Sequence, residues 1–169
     1  MHFVTVITAF AAAAQAAMKY KGVDWSSTSV SEASGHIWIG LDGNTKPVER
    51  IFKSNGVSTV RQRLWVNPEE GNYDIDYNIK LAKRAHAQGL ELYLDIHFSD
   101  TWADPSHQTT PAAWAGYGID DLADEVYNYT KSTMDSFQAA GLPLAMVSIG
   151  NEITAGKRAS SESLRQHLR

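Results

Sequence analysis

The sequence predicts an α/β fold in which about four parallel β-strands alternate with helices. Runs rich in β-branched residues alternate along the chain with runs that have the apolar spacing of amphipathic helices. This alternation is typical of parallel β/α units. The 169 residues are 43% hydrophobic and carry a net charge of −4, as expected for one soluble globular domain with a sizeable core.

Each predicted element has a local reason in the sequence. The first helix begins with Pro47 and has Gly56 beyond its end, the usual asymmetry of helix termini. The second helix carries an apolar stripe of Ile75, Ile79, Leu81, Ala82 and Ala85. In chain order the prediction is strand 20–25, helix 47–56, strand 57–66, helix 74–89, strand 90–98, a long loop to residue 118, helix 119–141 and strand 144–150.

Two arrangements of such units compete, namely an open doubly wound sheet and half of an eight-stranded (β/α)8 TIM barrel. A nucleotide-binding open sheet would have a glycine-rich phosphate loop after its first strand, and the sequence has none there. We therefore favour the barrel. Because a complete barrel takes about 250 residues, the chain would form its N-terminal half, truncated after strand four.

Side-chain alternation along the strands supports the barrel. Successive strand residues point to opposite faces, and each predicted strand then has one apolar face, to be covered by helices, and one small or polar face. Val147 and Ile149 belong to the apolar face of the fourth strand. The polar faces hold Gly22 and Asp24, then Thr59, Arg61, Arg63 and Trp65, then Tyr93, Asp95 and His97, and finally Met146, Ser148, Gly150 and Glu152. Their polar groups gather towards the C-terminal strand ends, where barrel enzymes have their active sites.

The overall charge and the cysteine count limit the classes of partner. The mild acidity argues against nucleic acid or an anionic membrane as the main partner. The chain has no cysteine, which excludes disulfides and thiolate metal sites.

Residues 1–16 are predicted to be a secretory signal peptide. The apolar or hydroxyl-bearing run of residues 3–14 is too short to span a bilayer, and it ends in the A-x-A cleavage pattern Ala14-Gln15-Ala16. A buried apolar N-terminal helix is the alternative. The sequon that begins at Asn128 predicts N-glycosylation there and fits a secreted, extracellular protein.

The stretch "SIGNEITAG" places Glu152 where the fourth strand ends. A carboxyl group there could act as a general acid if burial and like charge raise its pKa; the alternative is an exposed acid that begins a loop. Asn151 could donate a hydrogen bond to a substrate hydroxyl or cap the turn. Arginines on an inner face need carboxylate partners, so Arg61 and Arg63 are expected to pair with carboxylates drawn from Asp24, Asp95 and Glu152.

The stretch "DIHFSDTWADP", residues 95–105, is dense in Asp, His and Trp at the end of the third strand. One interpretation is a metal site, since His and Asp are metal ligands. We favour a sugar site, because Trp offers a flat apolar face to a pyranose ring while Asp and His bond its hydroxyls. Trp65, Trp102 and Trp114 follow strands and are expected at the same mouth. Core filling is the alternative for each tryptophan, above all for Trp25 and Trp38. No Gly-x-Ser-x-Gly elbow of a serine hydrolase is present.

The stretches "YKGVDWSS", "SDTWADPSHQ" and "VSIGNEI" resemble the fungal arabinogalactan endo-β-1,4-galactanases of glycoside hydrolase family 53, over residues 20–156. The resemblance implies a retaining enzyme with a (β/α)8 barrel and no cofactor, which acts as a monomer on plant cell-wall galactan. It implies that Glu152 is the proton donor and that Asn151 beside it contacts substrate. It also implies that Arg61, His97, Asp100, Trp102 and Asp104 lie in or beside the galactan cleft.

The prediction divides the chain into a signal peptide at 1–16, a partial catalytic domain at 17–156 and an atypical basic tail at 157–169. Family members provide the nucleophilic Glu on strand seven, which is missing here, so we expect the chain by itself to be inactive. A non-catalytic or misfolded galactan-binding remnant is one alternative. The Asp and His cluster supports a third hypothesis, that the protein is another barrel enzyme such as a metal-dependent hydrolase.

Overall fold

The computed structural model describes residues 18–153. The predicted signal peptide at 1–16 and the predicted tail at 157–169 lie outside the described residues. Within them, no helix has both the length and the apolar character needed to cross a lipid bilayer.

The described part of the chain contains four strands with helices between them, two between the first and second strands and one between each later pair. The strands are β1 (Gly22–Asp24), β2 (Thr59–Leu64), β3 (Glu91–Ile96) and β4 (Leu144–Ile149). The helices are α1 (Thr28–Ala33), α2 (Val48–Ser54), α3 (Ile75–Ala87) and α4 (Ile119–Ala139), and a short 3-10 turn spans Ala112–Trp114. Every predicted element is present, although each is a few residues shorter than predicted. Helix α1 and the 3-10 turn were not predicted.

The strands form one parallel sheet in the order β1-β2-β3-β4. Asp24 is level with Arg61 and Arg63 with Asp95, while Asp95 is level with Ser148. Residues predicted to share the polar face are therefore neighbours across the sheet, which confirms the predicted alternation. The parallel sheet with helical crossovers also confirms the predicted α/β class.

Helix α3 shows how the sequence positions one layer on the sheet. The Asp74 side chain caps its N-terminus by accepting a hydrogen bond from the Tyr77 backbone N–H at 2.7 Å, an arrangement favoured at helix starts. Leu81, Ala82 and Ala85 of the predicted apolar stripe are fully buried. Ile75 and Ile79 are half-buried against the same core. The stripe therefore attaches α3 to the outer face of the sheet.

One buried polar residue interrupts the apolar face of β2. Gln62 lies between Val60 and Leu64, all three of them buried. Its amide nitrogen donates to the backbone oxygen and to the Oδ1 of Asn78 in α3, at 2.9 and 3.0 Å. These bonds offset much of the cost of burying the amide. The prediction of a wholly apolar face was therefore wrong at Gln62, because a partner on the facing helix permits a polar residue there.

The outer face of β4 is not covered within the described residues. Val147 and Ile149 are on the helix-facing side, as predicted, but they remain 37% and 60% exposed. Beside them, α4 presents Leu122 and Val126, which line the same apolar groove as Ile149. The expectation that helices cover this face is thus met along β2 and β3 and not at the end of β4.

Arg84 connects its own helix, α3, to α1 and α2. Its guanidinium bonds both oxygens of Glu32 in α1, at 2.7 and 2.9 Å, and both oxygens of Glu49 in α2, at 2.8 and 3.1 Å. The same group lies over the Trp25 ring, 5.9 Å from its centroid. Hydrogen bonding to Arg84 lowers the pKa of Glu32 against the opposing effect of its partial burial.

We expect the substitution Arg84→Met to lower the free energy of unfolding by about 2 kcal/mol at neutral pH, because buried Glu49 loses its cation. The stabilisation from Glu32 exists above its ordinary pKa of 4.5 and is lost as the pH falls through the lowered value. The difference between the two proteins should therefore shrink in acid. Urea titrations test this, with the exposed ion-pair partner Lys131 changed to Met as the control. An equal loss in both variants would contradict the helix-connecting role of Arg84.

Candidate active site

Polar and aromatic side chains converge where the four strands end. Asp24 ends β1, Arg61 and Arg63 lie in the middle and near the end of β2, Asp95 is near the end of β3, and Asn151 follows β4. In β/α barrels this edge carries the active site. The sequence predicted the same edge from side-chain alternation.

Arg61 is the centre of this group. Its two terminal nitrogens form ion pairs with Asp24 and with Asp95, and Nη2 also donates to Oδ1 of Asn151 at 2.9 Å. Two of the three carboxylates predicted to pair with the arginines therefore do so. One guanidinium thus joins residues from the ends of β1, β3 and β4, which fixes their relative positions.

The two carboxyl groups that share Arg61 have different environments. Asp95 is only 1% exposed, and burial raises its pKa more than the adjacent Arg61 lowers it. Asp24 is also partly desolvated, but hydrogen bonds from Ser26 and the charges of Arg63 and Arg61 lower its pKa overall. The group thus couples one readily ionised carboxyl to one that resists ionisation.

Arg63 supports an aromatic surface beside this polar group. Its guanidinium lies 4.6 Å from the ring centroid of Trp102 and 5.3 Å from that of Tyr73, and it donates to the Ser27 hydroxyl at 2.9 Å. Its Nε is 3.8 Å from Asp24. The guanidinium is thus within cation–π range of both rings, and this attraction helps to hold Trp102 in place. Tyr73 was not predicted, because its only signal in the sequence is its position after β2.

Trp102 is the tryptophan best placed to meet a ligand, since 45% of it is exposed. Trp65 is half-buried and contacts Tyr73, with ring centroids 4.4 Å apart. Trp114 is buried in the core and packs against Tyr129 of α4, so its predicted place at the mouth was wrong. The reason is that the 3-10 turn directs Trp114 towards α4. Trp25 is buried in the core.

His97 lies wholly beneath this surface. Its Nδ1 accepts a hydrogen bond from the Ala103 N–H at 3.1 Å, and Nε2 is 3.8 Å from Asp95 Oδ2. Its ring meets the edge of Trp102 at 5.8 Å. Because an accepting Nδ1 carries no proton, the neutral ring has its proton on Nε2, on the side of Asp95. His97 is therefore buried beneath Trp102 and contacts its ring.

Asp100 and Asp104 organise the loop that carries Trp102. The oxygens of Asp100 accept from the backbone N–H groups of Asn67 and Ala112, at 3.0 and 2.8 Å. Asp104 accepts from the backbone N–H of His107 at 2.9 Å, and hydrogen bonding to that histidine lowers the pKa of Asp104. Both side chains thus hold the backbone of the loop. No group of three or more metal-binding side chains is arranged to hold a metal ion in residues 18–153.

Asn151 and Glu152 follow β4 in a sharp turn. Gly150 has a φ of +102°, and a Cβ there would lie 3.1 Å from the Ile153 side chain, so the position needs glycine. Asn151 is buried, and its Nδ2 donates to the Ala103 oxygen at 2.7 Å. Gln108, which was not predicted, donates from its amide nitrogen to the backbone oxygen of Asn151 at 3.0 Å. These contacts fix the backbone immediately before Glu152.

Glu152 is exposed at the end of this turn and has the left-handed φ of +50°. Such a conformation is uncommon for a residue with a side chain, and it persists where the surrounding structure determines it. Here Asn151 constrains the turn, because its side chain is hydrogen-bonded to Arg61 and to the Ala103 backbone oxygen in the loop after β3. The carboxyl group therefore stands at the strand end without being buried among the arginines.

A parallel β/α sheet whose polar and aromatic side chains gather at the C-terminal strand ends is the arrangement of β/α-barrel enzymes. Comparison with known proteins agrees, since residues 20–166 match the model of Glycosyl hydrolase family 53. The chain belongs to this family. Its matched range includes most of the segment 157–169, so the domain boundary at residue 156 stays a prediction.

Curated relatives and solved structures support the same assignment. The chain is 57% identical over 143 residues to the probable arabinogalactan endo-beta-1,4-galactanase A of Aspergillus terreus, and 56% identical over 140 residues to the arabinogalactan endo-beta-1,4-galactanase of Humicola insolens. These matches cover 85% and 83% of this chain but 41% and 42% of the relatives. The chain therefore spans about two fifths of the length of these relatives.

Solved structures confirm that the sheet is part of a family 53 barrel. A fungal beta-1,4-galactanase structure superposes with a TM-score of 0.81 at 56% identity, covering 83% of this chain and 42% of the other. The GH53 catalytic domain of Ignisphaera aggregans gives a TM-score of 0.75 at 32% identity, covering 85% and 44%. The predicted partial barrel is thus confirmed.

Proposed function

We propose that this chain forms the N-terminal part of a retaining endo-β-1,4-galactanase, in which Glu152 is the acid/base group. The observation that carries the proposal is the placement of Glu152 directly after Asn151, whose side chain is fixed by Arg61. The substrate would be the β-1,4-linked galactan of arabinogalactan, by analogy with the printed activity of the relatives. Secretion and glycosylation at Asn128, which is exposed on α4, belong to the same proposal.

The proposed chemistry needs two carboxyl groups about 5–5.5 Å apart. The protonated Glu152 carboxyl donates its proton to the glycosidic oxygen as the bond to the anomeric carbon breaks. A second carboxylate attacks that carbon and forms the glycosyl-enzyme. Glu152, now ionised, accepts a proton from water, whose oxygen displaces the second carboxylate from the sugar.

The second carboxyl group is proposed to come from the part of the family barrel that lies beyond the match. The relatives are more than twice as long as the region that this chain matches. Residues 1–169 alone are then expected to show no turnover. Trp102 would stack on a galactose ring, while Asn151, Arg61 and the loop held by Asp100 and Asp104 would form one wall of the cleft.

A hybrid enzyme tests this proposal. In it, the matched residues of this chain replace the corresponding 42% of the Humicola insolens galactanase. We expect the hybrid to hydrolyse β-1,4-galactan, and the 169-residue chain alone to be inactive, in a reducing-sugar assay. A folded hybrid that binds galacto-oligosaccharides in calorimetry without cleaving them would instead support a non-catalytic binding protein.

A further inference from the structure

The side chain of Gln108 bridges the loop after β3 and the turn after β4. Its amide nitrogen donates to the backbone oxygen of Asp104 at 2.8 Å and to the backbone oxygen of Asn151 at 3.0 Å. The first bond stays within the loop that carries Trp102, whereas the second spans 43 positions of the chain. A single amide group therefore ties the candidate sugar-binding loop to the turn that contains Glu152.

The carbonyl group that Gln108 bonds in Asn151 belongs to the peptide unit that also contains the Glu152 nitrogen. Because a peptide unit is planar, a hydrogen bond to its oxygen also restrains the Cα atom of Glu152, which lies in the same plane. The next rotatable bond is the axis of the φ angle, which is +50° at Glu152. A residue with a side chain keeps such a φ where its surroundings determine it. The bond from Gln108 acts immediately before this angle.

The other anchors of the turn hold a different part of Asn151. Arg61 donates to its side-chain oxygen, and its side-chain nitrogen donates to the backbone oxygen of Ala103. These two bonds leave rotation about the Cα–C bond of Asn151 unrestricted, and that rotation would turn the peptide unit before Glu152. The bond from Gln108 restricts it, so the side-chain anchors and Gln108 have separate effects.

A tight turn directs Gln108 before any substrate binds. The backbone groups of Asp104 and His107 pair in both directions, at 3.1 and 3.0 Å. The Asp104 carboxylate also accepts from the Ser106 N–H at 2.7 Å. These bonds fix the chain immediately before Gln108, and a group that positions another has to be held in this way.

The two bonds made by Gln108 require two donors on one atom. Both partners are backbone carbonyl oxygens, which only accept hydrogen bonds, so the amide has to present its nitrogen to them. Its own Oε1 is buried and has no hydrogen-bond partner within residues 18–153. A buried unpaired acceptor lowers stability, so stability alone would not select this side chain. Its contribution lies in the geometry of the site.

We infer that Gln108 is a positioning residue for Glu152. By bonding the peptide oxygen that precedes Glu152, it directs the Glu152 carboxyl group towards the glycosidic oxygen. This inference rests on the proposed acid/base role of Glu152, and Gln108 itself touches neither the sugar nor the reacting atoms. A displacement of about 1 Å can lower a rate by about 10²-fold. We expect the loss of this one bond to lower the rate about tenfold.

The hybrid enzyme tests the inference with Gln108→Met, which keeps the length of the side chain and removes both donors. We expect kcat/KM for galactan to fall about tenfold. For an aryl galactoside with a nitrophenolate leaving group, kcat/KM should fall less than about twofold, because this leaving group needs little protonation. The matched control is Gln138→Met, an exposed position near the C-terminal end of α4, which should change neither value. Equal losses on both substrates would overturn the inference.

A second variant, Gln108→Glu, separates hydrogen bonding from shape. It keeps the shape of the side chain but at neutral pH turns a carboxylate towards two carbonyl oxygens, so galactan activity should fall at least as far as in Gln108→Met. Galactan activity equal to that of the unaltered hybrid would overturn the inference. So would failure of both variants to fold, measured by urea titration, because Gln108 would then serve stability alone.

A double-mutant cycle tests whether Gln108 acts through Glu152. Adding Gln108→Met to Glu152→Gln should change galactan hydrolysis by less than about twofold, because no proton donor remains to be positioned. A further tenfold loss would overturn the inference. Near-normal hydrolysis by Glu152→Gln alone would overturn the proposed function and this inference with it. A strongly impaired Glu152→Gln variant together with an unaffected Gln108→Met variant would overturn the inference alone.

Discussion

Replacing Glu152 by Gln in the hybrid enzyme is expected to lower the rate of galactan hydrolysis by about 10²–10⁴-fold, the usual contribution of a general acid/base. Gln has nearly the shape of Glu but has no proton to donate to the glycosidic oxygen. Because Asn151 and Arg61 hold the turn, the substitution should leave the fold and the binding of galacto-oligosaccharides nearly unchanged. Steady-state kinetics and calorimetry on the same preparation measure both.

The choice of substrate separates proton donation from a general loss of activity. An aryl galactoside with a nitrophenolate leaving group needs little protonation, so its first, bond-breaking step should be nearly normal in the Glu152→Gln variant. The matched control is Glu91→Gln, because Glu91 is exposed at the opposite end of β3 and should have no effect. Near-normal turnover of galactan by Glu152→Gln would refute the assignment of Glu152.

The second large effect is expected for Arg61→Leu, which should lower the free energy of unfolding of the hybrid by about 3 kcal/mol at neutral pH. Removal of Arg61 leaves the buried Asp95 without its cation, and breaking a buried ion pair on one side costs about 3–5 kcal/mol. The lower end applies because Arg61 and Asp24 retain some exposure. Asn151 also loses a hydrogen bond, so activity should fall as well.

The pH dependence of this loss has a definite sign. Burial already raises the pKa of Asp95 above its ordinary 3.8, and loss of Arg61 should raise it further. Such a group contributes stability that is present below pH 3.8 and is lost as the pH rises through the folded-state pKa. Asp24, whose pKa Arg61 helps to lower, contributes stability above its ordinary pKa of 3.8, and this contribution is lost as the pH falls through the lowered value. The destabilisation should therefore shrink as the pH is lowered from about 7 to about 4.

Two further variants make this result specific. Arg61→Lys keeps a positive charge and should recover part of the stability, although it cannot bond two carboxylates and an amide in one plane. Arg50→Leu removes an exposed arginine of α2 and should change stability little. A pH-independent loss in Arg61→Leu would indicate that packing of the arginine, rather than its charge, stabilises the site.

Much of the sheet and the active-site edge could be predicted because the relevant signals are local. Alternation along a strand depends only on neighbouring residues, so the shared face of Arg61, Asp95 and Ser148 followed once the strands were recognised. The pairing of Arg61 with Asp24 and Asp95 followed from the cost of burying an unpaired charge. The position of Glu152 at a strand end needed only the boundary of the apolar run before it.

Features that depend on the path of a loop could not be predicted. Trp114 follows β3 as Trp102 does, yet the longer path to it returns to the core beside Tyr129. Whether Asp100 meets substrate or backbone depends on which N–H groups the folded loop brings near, namely those of Asn67 and Ala112. Helix α1 has six residues, too few for a helical period to be recognised.

The strands lie in the sheet in the same order as in the chain, and this has a consequence for folding during synthesis on the ribosome. Each strand pairs with the strand made just before it, so β2 can add to β1, and β3 to β2, as soon as each leaves the exit tunnel. Among β1–β4, none of the pairings seen in residues 18–153 has to wait for a distant part of the chain, which suits folding from the N-terminal end during translation. Arg84 is synthesised after Glu32 and Glu49, with which it pairs. It would then fix α1 and α2 relative to α3 before β4 has been synthesised.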